Sequence, residues 1–505
     1  MTSDRLLARN SALNLFGQAA PLLVALLTIP PLLRGFGAER FGVLTLVQAA
    51  IGYFSLFELG LGRALTQSVA QRLSNGNSRE LPAVARTGLS MLMVLGTVAG
   101  LVVAGLTPLL TSRILRVPAA LQTETAISFW ILSAALPFVL GTIGLRGLIE
   151  AHQHFGLATA LRLPSVLFSY VGPLLVLPFS SSLVPAVSVI AAGRVATFAA
   201  HLIVSRRMYA YLREPAPIER APMMALLRFG AWMTVSNVVS PMMTYLDRFI
   251  IGAGLSLAAV TAYVTPYEVI VKLIIIPAAL TGAAMPALAA TVAVQPERMT
   301  ELYEKSFRAV IVAMFPITLA AVVLAREGLS IWIGRALPPD SVRVLQWLAI
   351  GVFATAVAFT PSTALYSAGR PDLLAKLHLI ELPIYATGII ALMRTFGIQG
   401  VAIAWTARAA LDAGAIMWLA RRTLGVPAAP RLGGFWSLGL MLAAMAVGAA
   451  LTSSAARVGY TAAIVLVFAP LAWLKLITAA ERRGLREWLM RAHAPAPVIT
   501  PSIDA

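Results

Sequence analysis

The residues with the clearest chemical potential are acid and base pairs that lie inside long apolar stretches. Three such pairs are four or five positions apart: Glu58 with Arg63, Glu268 with Lys272, and Arg408 with Asp412. Residues four apart share one face of a helix, and a charge at mid-bilayer costs about 2.5–3.5 kcal/mol on insertion scales. A base held there could bind a phosphate or carboxylate, and an acid could bind H⁺ or Na⁺. These pairs are therefore the first candidate functional groups.

Other charges in the apolar stretches have more than one interpretation. Arg194, a turn or two inside its stretch, either extends to the interface or lines an internal cavity. Asp247 and Arg248 lie near the periplasmic end of another stretch, where an interfacial pair that stops the helix is the favoured interpretation. Arg146 and Glu150 end a further stretch and are expected to anchor it at the interface. The three acid and base pairs could likewise be ion pairs that only pack the helices.

Composition shows what kind of protein contains these stretches. Of 505 residues, 59% are hydrophobic and 12% are charged, the mean hydropathy is +0.84, and cysteine is absent. Soluble domains are about half apolar and about 25% charged, so a soluble enzyme, a disordered chain and a disulfide-stapled domain are excluded. The sequence has no P-loop or metal-ligand pattern, and His152 and His154 lie in a predicted loop. We expect an all-α membrane protein that is not an enzyme and that has no metal or cofactor.

Apolar runs of about 20 residues predict fourteen transmembrane helices. They cover residues 11–33, 42–66, 83–110, 125–147, 160–181, 183–205, 228–251, 257–282, 305–325, 342–363, 375–393, 398–420, 434–453 and 458–478. Most Lys and Arg residues lie in connections that this map assigns to the cytoplasm. The net charge of +18 therefore indicates topology and not nucleic-acid binding, and both termini are predicted to be cytoplasmic.

The predicted helices form two sets of six and a final two. The divisions are an N-terminal lobe at 1–205, a cytoplasmic linker at 206–227, a C-terminal lobe at 228–425, two further helices at 426–480 and a cytoplasmic tail at 481–505. Six helices per set would make the lobes parallel pseudo-repeats. Residues 294–305 are predicted to form a separate amphipathic surface helix.

Prolines inside the predicted helices are candidate hinges. Membrane helices tolerate proline when neighbouring groups satisfy the freed carbonyls. Pro266 and Pro277 bracket Glu268 and Lys272, so this helix is predicted to be kinked or broken. We expect Pro30, Pro266 and Pro277 to act as hinges, with ordinary kinks as the alternative.

Three stretches carry a resemblance to a known family: 41–66 (FGVLTLVQAAIGYFSLFELGLGRALT), 245–270 (YLDRFIIGAGLSLAAVTAYVTPYEVI) and 364–413, which begins ALYSAGRPDLLAKLHLIELPIY. Over residues 5–425 the chain resembles the polysaccharide-export (Wzx-type) flippases of the multidrug/oligosaccharidyl-lipid/polysaccharide (MOP) superfamily. The resemblance implies two six-helix lobes around a central cavity. It also implies movement of an undecaprenyl-pyrophosphate-linked sugar unit from the cytoplasmic to the periplasmic leaflet of the bacterial inner membrane, for O-antigen, capsule or exopolysaccharide synthesis.

On this resemblance the candidate residues acquire roles. The bases expected to bind the anionic headgroup are Arg63, Arg194, Lys272 and Arg408. The acids expected to bind a coupling ion or line the cavity are Glu58, Glu268 and Asp412. The implied partners are the lipid-linked oligosaccharide, the bilayer, H⁺ or Na⁺ as coupling ion, and polysaccharide polymerase and chain-length proteins.

Two other transport functions of the same superfamily are alternatives. One is a lipid II flippase for peptidoglycan, which uses the same mechanism on a different headgroup. The other is a cation-coupled multidrug antiporter. Related antiporters carry an ionisable acid in the first span, where this sequence has only Asn14 and Gln18. A non-transporting scaffold ranks last, because buried charges are costly for a protein that does not use them.

Overall fold

The regular structure of the chain is helical throughout the part described by this computed structural model. That part comprises residues 2–56, 58, 60–292, 295–334, 338, 340–427, 435–476 and 482. For some of these residues only the backbone is described, namely 2–20, 22, 54–56, 228–244, 283, 286, 435, 475 and 476.

The α-helices are α1 (Thr2–Leu56), α2 (Leu61–Ser74), α3 (Leu81–Leu109), α4 (Ala119–Ala151), α5 (Phe155–Val176), α6 (Leu183–Met208), α7 (Arg220–Gly254), α8 (Leu257–Ile270), α9 (Ile275–Thr291), α10 (Pro296–Val323), α11 (Ala325–Ile333), α12 (Ser341–Ser367), α13 (Pro371–Leu424), α14 (Phe435–Ala450) and α15 (Ser454–Leu471). The all-α prediction is confirmed.

The number of membrane crossings stays a prediction. Within the described residues, nine helical segments have the length and apolar composition needed to cross a membrane. The predicted tail at 481–505 lies outside the described residues except for Arg482.

Two of the longest helices contain a break at a single glycine. In α1 the break is Gly37, with φ 74° and ψ 170°, and it separates the predicted spans 11–33 and 42–66. In α13 it is Gly397, with φ 58° and ψ −139°, between the predicted spans 375–393 and 398–420. Glycine adopts a positive φ without the steric penalty of a Cβ. The backbone of α1 remains helical through Pro30, so the break lies at Gly37 and not at the predicted hinge.

The prediction of one continuous span over 42–66 is wrong. Helix α1 ends at Leu56 and α2 begins at Leu61, after Gly60 with φ 69°. Glu58 therefore lies in the short connection just before α2, and Arg63 lies in the first turn of α2.

The region between Pro266 and Pro277 is interrupted, as predicted. Residues Val271–Ile274 form a 3₁₀ turn between α8 and α9, and Lys272 is part of that turn. A short 3₁₀ segment inside a long helix is typical of a hinge or of local strain. The separate surface helix expected at 294–305 is not formed, because α10 runs without interruption from Pro296 to Val323.

The chain folds into two compact units. The first comprises Met1–Ile275, Ala325–Ala354 and Pro371–Asp412. In it α3 packs tightly on α4: a Cβ added at Gly96 would lie 2.6 Å from Pro137 Cα, and one at Gly100 would lie 2.5 Å from the carbonyl oxygen of Ser133. Small residues allow such close approach of membrane helices.

The second unit comprises Ile276–Leu324, Thr355–Arg370 and Ala413–Ala505. Here α10 packs on α14 and α15, and the rings of Phe315 and Phe468 meet edge to face with centroids 4.8 Å apart. The lobes predicted at 1–205 and 228–425 remain a prediction. All the predicted charged site residues belong to the first unit.

Candidate functional site

A cavity of about 560 Å³ lies within the first unit and is rich in arginine. Its charged lining residues, contributed by α2, α4, α5 and α6 and by the connection before α2, are Glu58, Arg63, Arg146, Glu150, Arg162 and Arg194. Four arginines against two glutamates give this lining a formal charge of +2. We call this space the basic cavity.

Arg194 is the arginine whose surroundings most favour an external anion. Its Nη2 donates to Ser169 Oγ at 2.9 Å and its Nη1 donates to Ser165 Oγ at 3.3 Å. Both acceptors are neutral hydroxyls on α5, so they orient the guanidinium without cancelling its charge. Of the two interpretations of Arg194, the structure places it in the cavity wall.

Glu58 is held by the start of α2. The backbone N–H of Gly62 donates to Glu58 Oε2 at 3.1 Å, and the residue is 7% exposed. A carboxylate at a helix N-terminus is stabilised by the partial positive charge of the first turn. Arg63 is exposed in the same cavity. The pair thus contributes one anchored acid and one accessible base.

The contributions of α4 and α5 to the basic cavity differ from the sequence-based expectation. Arg146 and Glu150 form an ion pair with Nε–Oε1 2.7 Å, and both line the cavity instead of serving only as an interfacial anchor. Arg162 was not singled out from the sequence. A usable signal existed, because Arg63, Arg146 and Arg162 all lie near predicted cytoplasmic ends of spans and therefore at similar depth.

A second pocket of about 210 Å³ adjoins the basic cavity at Tyr245, which lines both spaces. Its lining residues are Gln48, Tyr170, Tyr245, Arg248, Tyr267, Glu268, Val271 and Lys272. We call it the tyrosine pocket. Within it Glu268 is bound mainly by Arg248, with Nη2–Oε1 2.8 Å, whereas Lys272 Nζ lies 3.9 Å from Glu268 Oε2. The predicted pair of Glu268 and Lys272 is the weaker half of a three-residue cluster.

The expectation that Asp247 and Arg248 form an interfacial pair that stops a helix is wrong. Helix α7 continues to Gly254, and the two residues are only 1% and 4% exposed. Asp247 accepts hydrogen bonds from the Tyr263 hydroxyl at 2.7 Å and from the Arg248 backbone N–H at 2.8 Å. Arg248 lines the tyrosine pocket, and Asp247 lies behind it.

A third group of charges lies along α13. Arg408 Nη1 is 3.8 Å from Glu381 Oε2, and its guanidinium carbon is 5.3 Å from the centre of the Tyr385 ring. Asp412 Oδ1 lies 3.6 Å from His378 Nε2. Arg408 and Asp412 were paired from their spacing, but Arg408 contacts Glu381 and Asp412 contacts His378, both on the other arm of α13. Glu381, His378 and Tyr385 were missed because contacts between the two arms leave no local spacing pattern.

The donor atoms of His378, Glu381 and Asp412 lie within 4.8 Å of one another. One imidazole and two carboxylates are groups that can hold a cation. The predicted acid Asp412 is therefore part of a group that could hold a cation.

Long apolar helices that enclose cavities lined by charged side chains define a multi-pass membrane transporter. The chain belongs to the polysaccharide biosynthesis protein family, which it matches over residues 7–292. The family resemblance found in the sequence is confirmed, and the protein is a transporter and not an enzyme.

Comparison with individual proteins agrees with this assignment. The chain is 29% identical over 426 residues to the "Putative O-antigen transporter" of Shigella flexneri, covering 83% of this chain and 98% of that protein. Its fold matches the lipid II flippase MurJ in an inward closed conformation, with TM-score 0.69 and 12% identity over 93% of this chain and 99% of that one. It also matches an inward-facing multidrug resistance MATE family transporter of the MOP superfamily, with TM-score 0.67 and 14% identity over 80% and 94% of the two chains. At these identities the two solved structures establish the fold alone.

Proposed function

We propose that this protein moves an undecaprenyl-pyrophosphate-linked oligosaccharide repeat unit from the cytoplasmic to the periplasmic leaflet of the bacterial inner membrane. It would do so by alternating access, in the synthesis of O-antigen, capsule or exopolysaccharide, with both termini in the cytoplasm. Membership of the polysaccharide biosynthesis family and similarity to the Shigella flexneri protein support this substrate class.

The observation that carries the proposal is the basic cavity. A pyrophosphate loses its hydration on entering hydrocarbon at great cost, so its passage needs a polar, cationic environment. Guanidinium groups bind phosphate oxygens through two parallel hydrogen bonds. Arg194, oriented by neutral serine hydroxyls, and the exposed Arg63 and Arg162 supply such groups in a net positive space. The prenyl chain would remain in the lipid.

Arg408 and Lys272 are less suited to this role than the sequence suggested. Arg408 is close to Glu381, and Lys272 is close to Glu268. Each base therefore has a nearby carboxylate, whereas Arg194 has neutral partners. The proposed headgroup site accordingly centres on Arg63, Arg162 and Arg194, because Arg146 is paired with Glu150.

Transport of this kind needs a driving gradient, and we propose H⁺ or Na⁺ as the coupling ion. The cluster of His378, Glu381 and Asp412 offers donor atoms within 4.8 Å of one another. Glu58 and Glu268 are weaker candidates, because the Gly62 N–H and Arg248 respectively hold their carboxylates. Polysaccharide polymerase and chain-length proteins remain the proposed partners.

The competing functions are flipping of lipid II and antiport of drugs. Both are represented among proteins with this fold. The basic cavity favours an anionic substrate, as either lipid-linked sugar would be, over the cationic drugs that an acidic cavity would attract. The choice between the two lipid substrates rests on the family and on the Shigella flexneri relative.

A deletion strain analysed for leaflet location of lipid-linked sugars tests the proposal. We expect an undecaprenyl-pyrophosphate oligosaccharide to accumulate in the cytoplasmic leaflet and surface polysaccharide to disappear. Re-expression of the wild-type protein should reverse both effects, and expression of Arg194→Gln at the same protein level should not. Accumulation of lipid II instead would support the peptidoglycan alternative, and drug sensitivity without lipid accumulation would support the antiporter.

A further inference from the structure

The tyrosine pocket differs in charge from the basic cavity beside it. Arg248 and Lys272 contribute two positive charges, and Glu268 contributes one negative charge. Asp247 adds a second negative charge directly behind Arg248, where its Oδ1 accepts the Arg248 backbone N–H. The lining of the tyrosine pocket therefore has a formal charge of +1, against +2 for that of the basic cavity, and Asp247 offsets this charge from behind Arg248. A charged ligand would lose its hydration in the tyrosine pocket for little net attraction, so the pocket favours an uncharged polar ligand.

The walls of the tyrosine pocket combine aromatic faces with hydrogen-bonding groups. Tyr170, Tyr245 and Tyr267 contribute rings and hydroxyls. The Arg248 guanidinium carbon lies 5.3 Å from the centre of the Tyr245 ring and 5.2 Å from that of Tyr267. Cation–π contacts with this one guanidinium therefore orient both rings. Gln48 is oriented by donating from Nε2 to the Ser169 carbonyl at 3.0 Å. Apolar faces with a few fixed polar groups are typical of small-molecule sites.

The pocket lining offers hydrogen-bonding groups of both kinds, since the Arg248 guanidinium and the Lys272 ammonium donate and the Glu268 carboxylate accepts. A ligand hydroxyl can both donate to the carboxylate and accept from the cations. Hydroxyl groups, apolar C–H faces and zero net charge together describe a sugar ring.

The size and position of the pocket fit a single ring. Its volume of about 210 Å³ is of the order of one monosaccharide ring. Since Tyr245 lines both spaces, the pocket lies directly beside the cavity proposed for the pyrophosphate. We infer that the tyrosine pocket binds one uncharged sugar ring of the lipid-linked oligosaccharide while the basic cavity holds its pyrophosphate, an inference that rests on the proposed function.

Binding of two lipids to the purified full-length protein in nanodiscs tests this inference. The probes are undecaprenyl pyrophosphate and the same lipid carrying one N-acetylhexosamine. We expect Tyr267→Phe and Gln48→Met each to weaken binding of the sugar-bearing lipid about tenfold, the effect of losing one hydrogen bond of about 1.4 kcal/mol. Binding of the sugar-free lipid should be unchanged. Arg194→Gln should weaken binding of both lipids equally.

Tyr211→Phe is the matched control, because Tyr211 lines neither space and its hydroxyl has no partner among the described residues. Its binding of both lipids should equal that of the wild type. Equal weakening of both lipids by Tyr267→Phe and Gln48→Met would overturn the sugar assignment and leave the proposed function standing. The same holds if neither variant changes the binding of either lipid. Failure of the wild-type protein to bind either lipid would overturn the proposed function together with this inference.

Discussion

The Arg248 guanidinium donates a hydrogen bond of 2.8 Å from Nη2 to Oε1 of Glu268, and this bond joins α7 to α8. Arg248 is almost fully buried, with Asp247 as its chain neighbour and Tyr245 and Tyr267 against its guanidinium. Glu268 is largely buried as well, with a side chain that is 18% exposed, so either charge alone would remain mostly desolvated and unpaired. The bond thus links protein stability to the integrity of the tyrosine pocket.

Glu268→Gln should lower the free energy of unfolding by about 3 kcal/mol. This value is at the low end for breaking a buried pair, because Asp247 remains beside Arg248. Lys272→Met is the control and should cost less than about 1 kcal/mol, since Lys272 is 43% exposed and 3.9 Å from Glu268. Thermal unfolding of the two purified variants in the same detergent measures the difference. Equal stability of both variants would contradict the prediction.

Arg194→Gln should reduce export of the lipid-linked sugar by about tenfold or more at normal protein level. A hydrogen bond to a charged group contributes about 1.5–3 kcal/mol, and Gln keeps polarity without the charge. Arg194→Lys should be intermediate, because it keeps the charge and loses the paired N–H groups. Arg206→Gln, at the exposed end of α6, is the matched control and should export normally. The amount of surface polysaccharide per cell measures the effect.

Gly37→Ala should destabilise the protein by about 1–3 kcal/mol, since φ 74° with ψ 170° is a region that only glycine adopts readily. A Cβ at this position meets nothing within 4 Å, so the effect isolates backbone strain from steric clash. Gly105→Ala in α3 also has open space and lacks a positive φ, so it should be neutral or stabilising by about 0.5–1 kcal/mol. Thermal unfolding of the two variants side by side distinguishes the causes, and equal stability would mean that the break is not strained.

Asp412→Asn and Glu381→Gln should abolish the dependence of transport on an imposed H⁺ or Na⁺ gradient. Each variant removes one carboxylate from the group formed with His378. Asp372→Asn, whose partner is the exposed Lys376, is the control and should retain that dependence. Flipping assays in proteoliposomes with and without the gradient measure the effect. Full gradient dependence in both variants would mean that the coupling ion binds at other residues.

Pro266→Ala and Pro277→Ala should slow transport without lowering the amount of protein in the membrane. Alanine restores the hydrogen-bonding capacity that proline lacks, so the 3₁₀ turn at Val271–Ile274 would extend into a more regular and stiffer helix. Pro470→Ala in α15 is a proline control in a helix outside the proposed hinge. Normal rates in both hinge variants would mean that these prolines only bend the helix.

Most helices could be predicted from the sequence because long apolar runs are unambiguous at this composition. Their ends were harder: α10 includes the residues expected to form a separate surface helix, and the span predicted at 42–66 is interrupted before α2. Apolar content alone cannot locate such breaks, since the glycine that permits a positive φ is also common inside regular membrane helices. Gly37 and Gly397 fall between predicted spans, so the sequence located these two turns, and the backbone adds that each break is confined to one glycine.

Site prediction had a similar limit. Spacing reveals only partners on one helix, so Glu268 was paired with Lys272 and Arg408 with Asp412. The closer ion-pair contacts are Glu268 with Arg248 and Arg408 with Glu381. The basic cavity was partly accessible from sequence, because Arg63 and Arg194 were named. Arg162 was not named, although its predicted depth matches that of Arg63 and Arg146.

The single-residue breaks at Gly37 and Gly397 leave almost no backbone outside the helices at two predicted periplasmic turns. A protease needs several extended residues to bind a cleavage site, and an inserted epitope needs a loop that can accept it. Both turns should therefore resist proteolysis and should not tolerate an inserted epitope tag. The connection at 177–182 between α5 and α6 is also predicted to be periplasmic, and Phe179 in it is 89% exposed, so it is the better place to test that orientation in living cells.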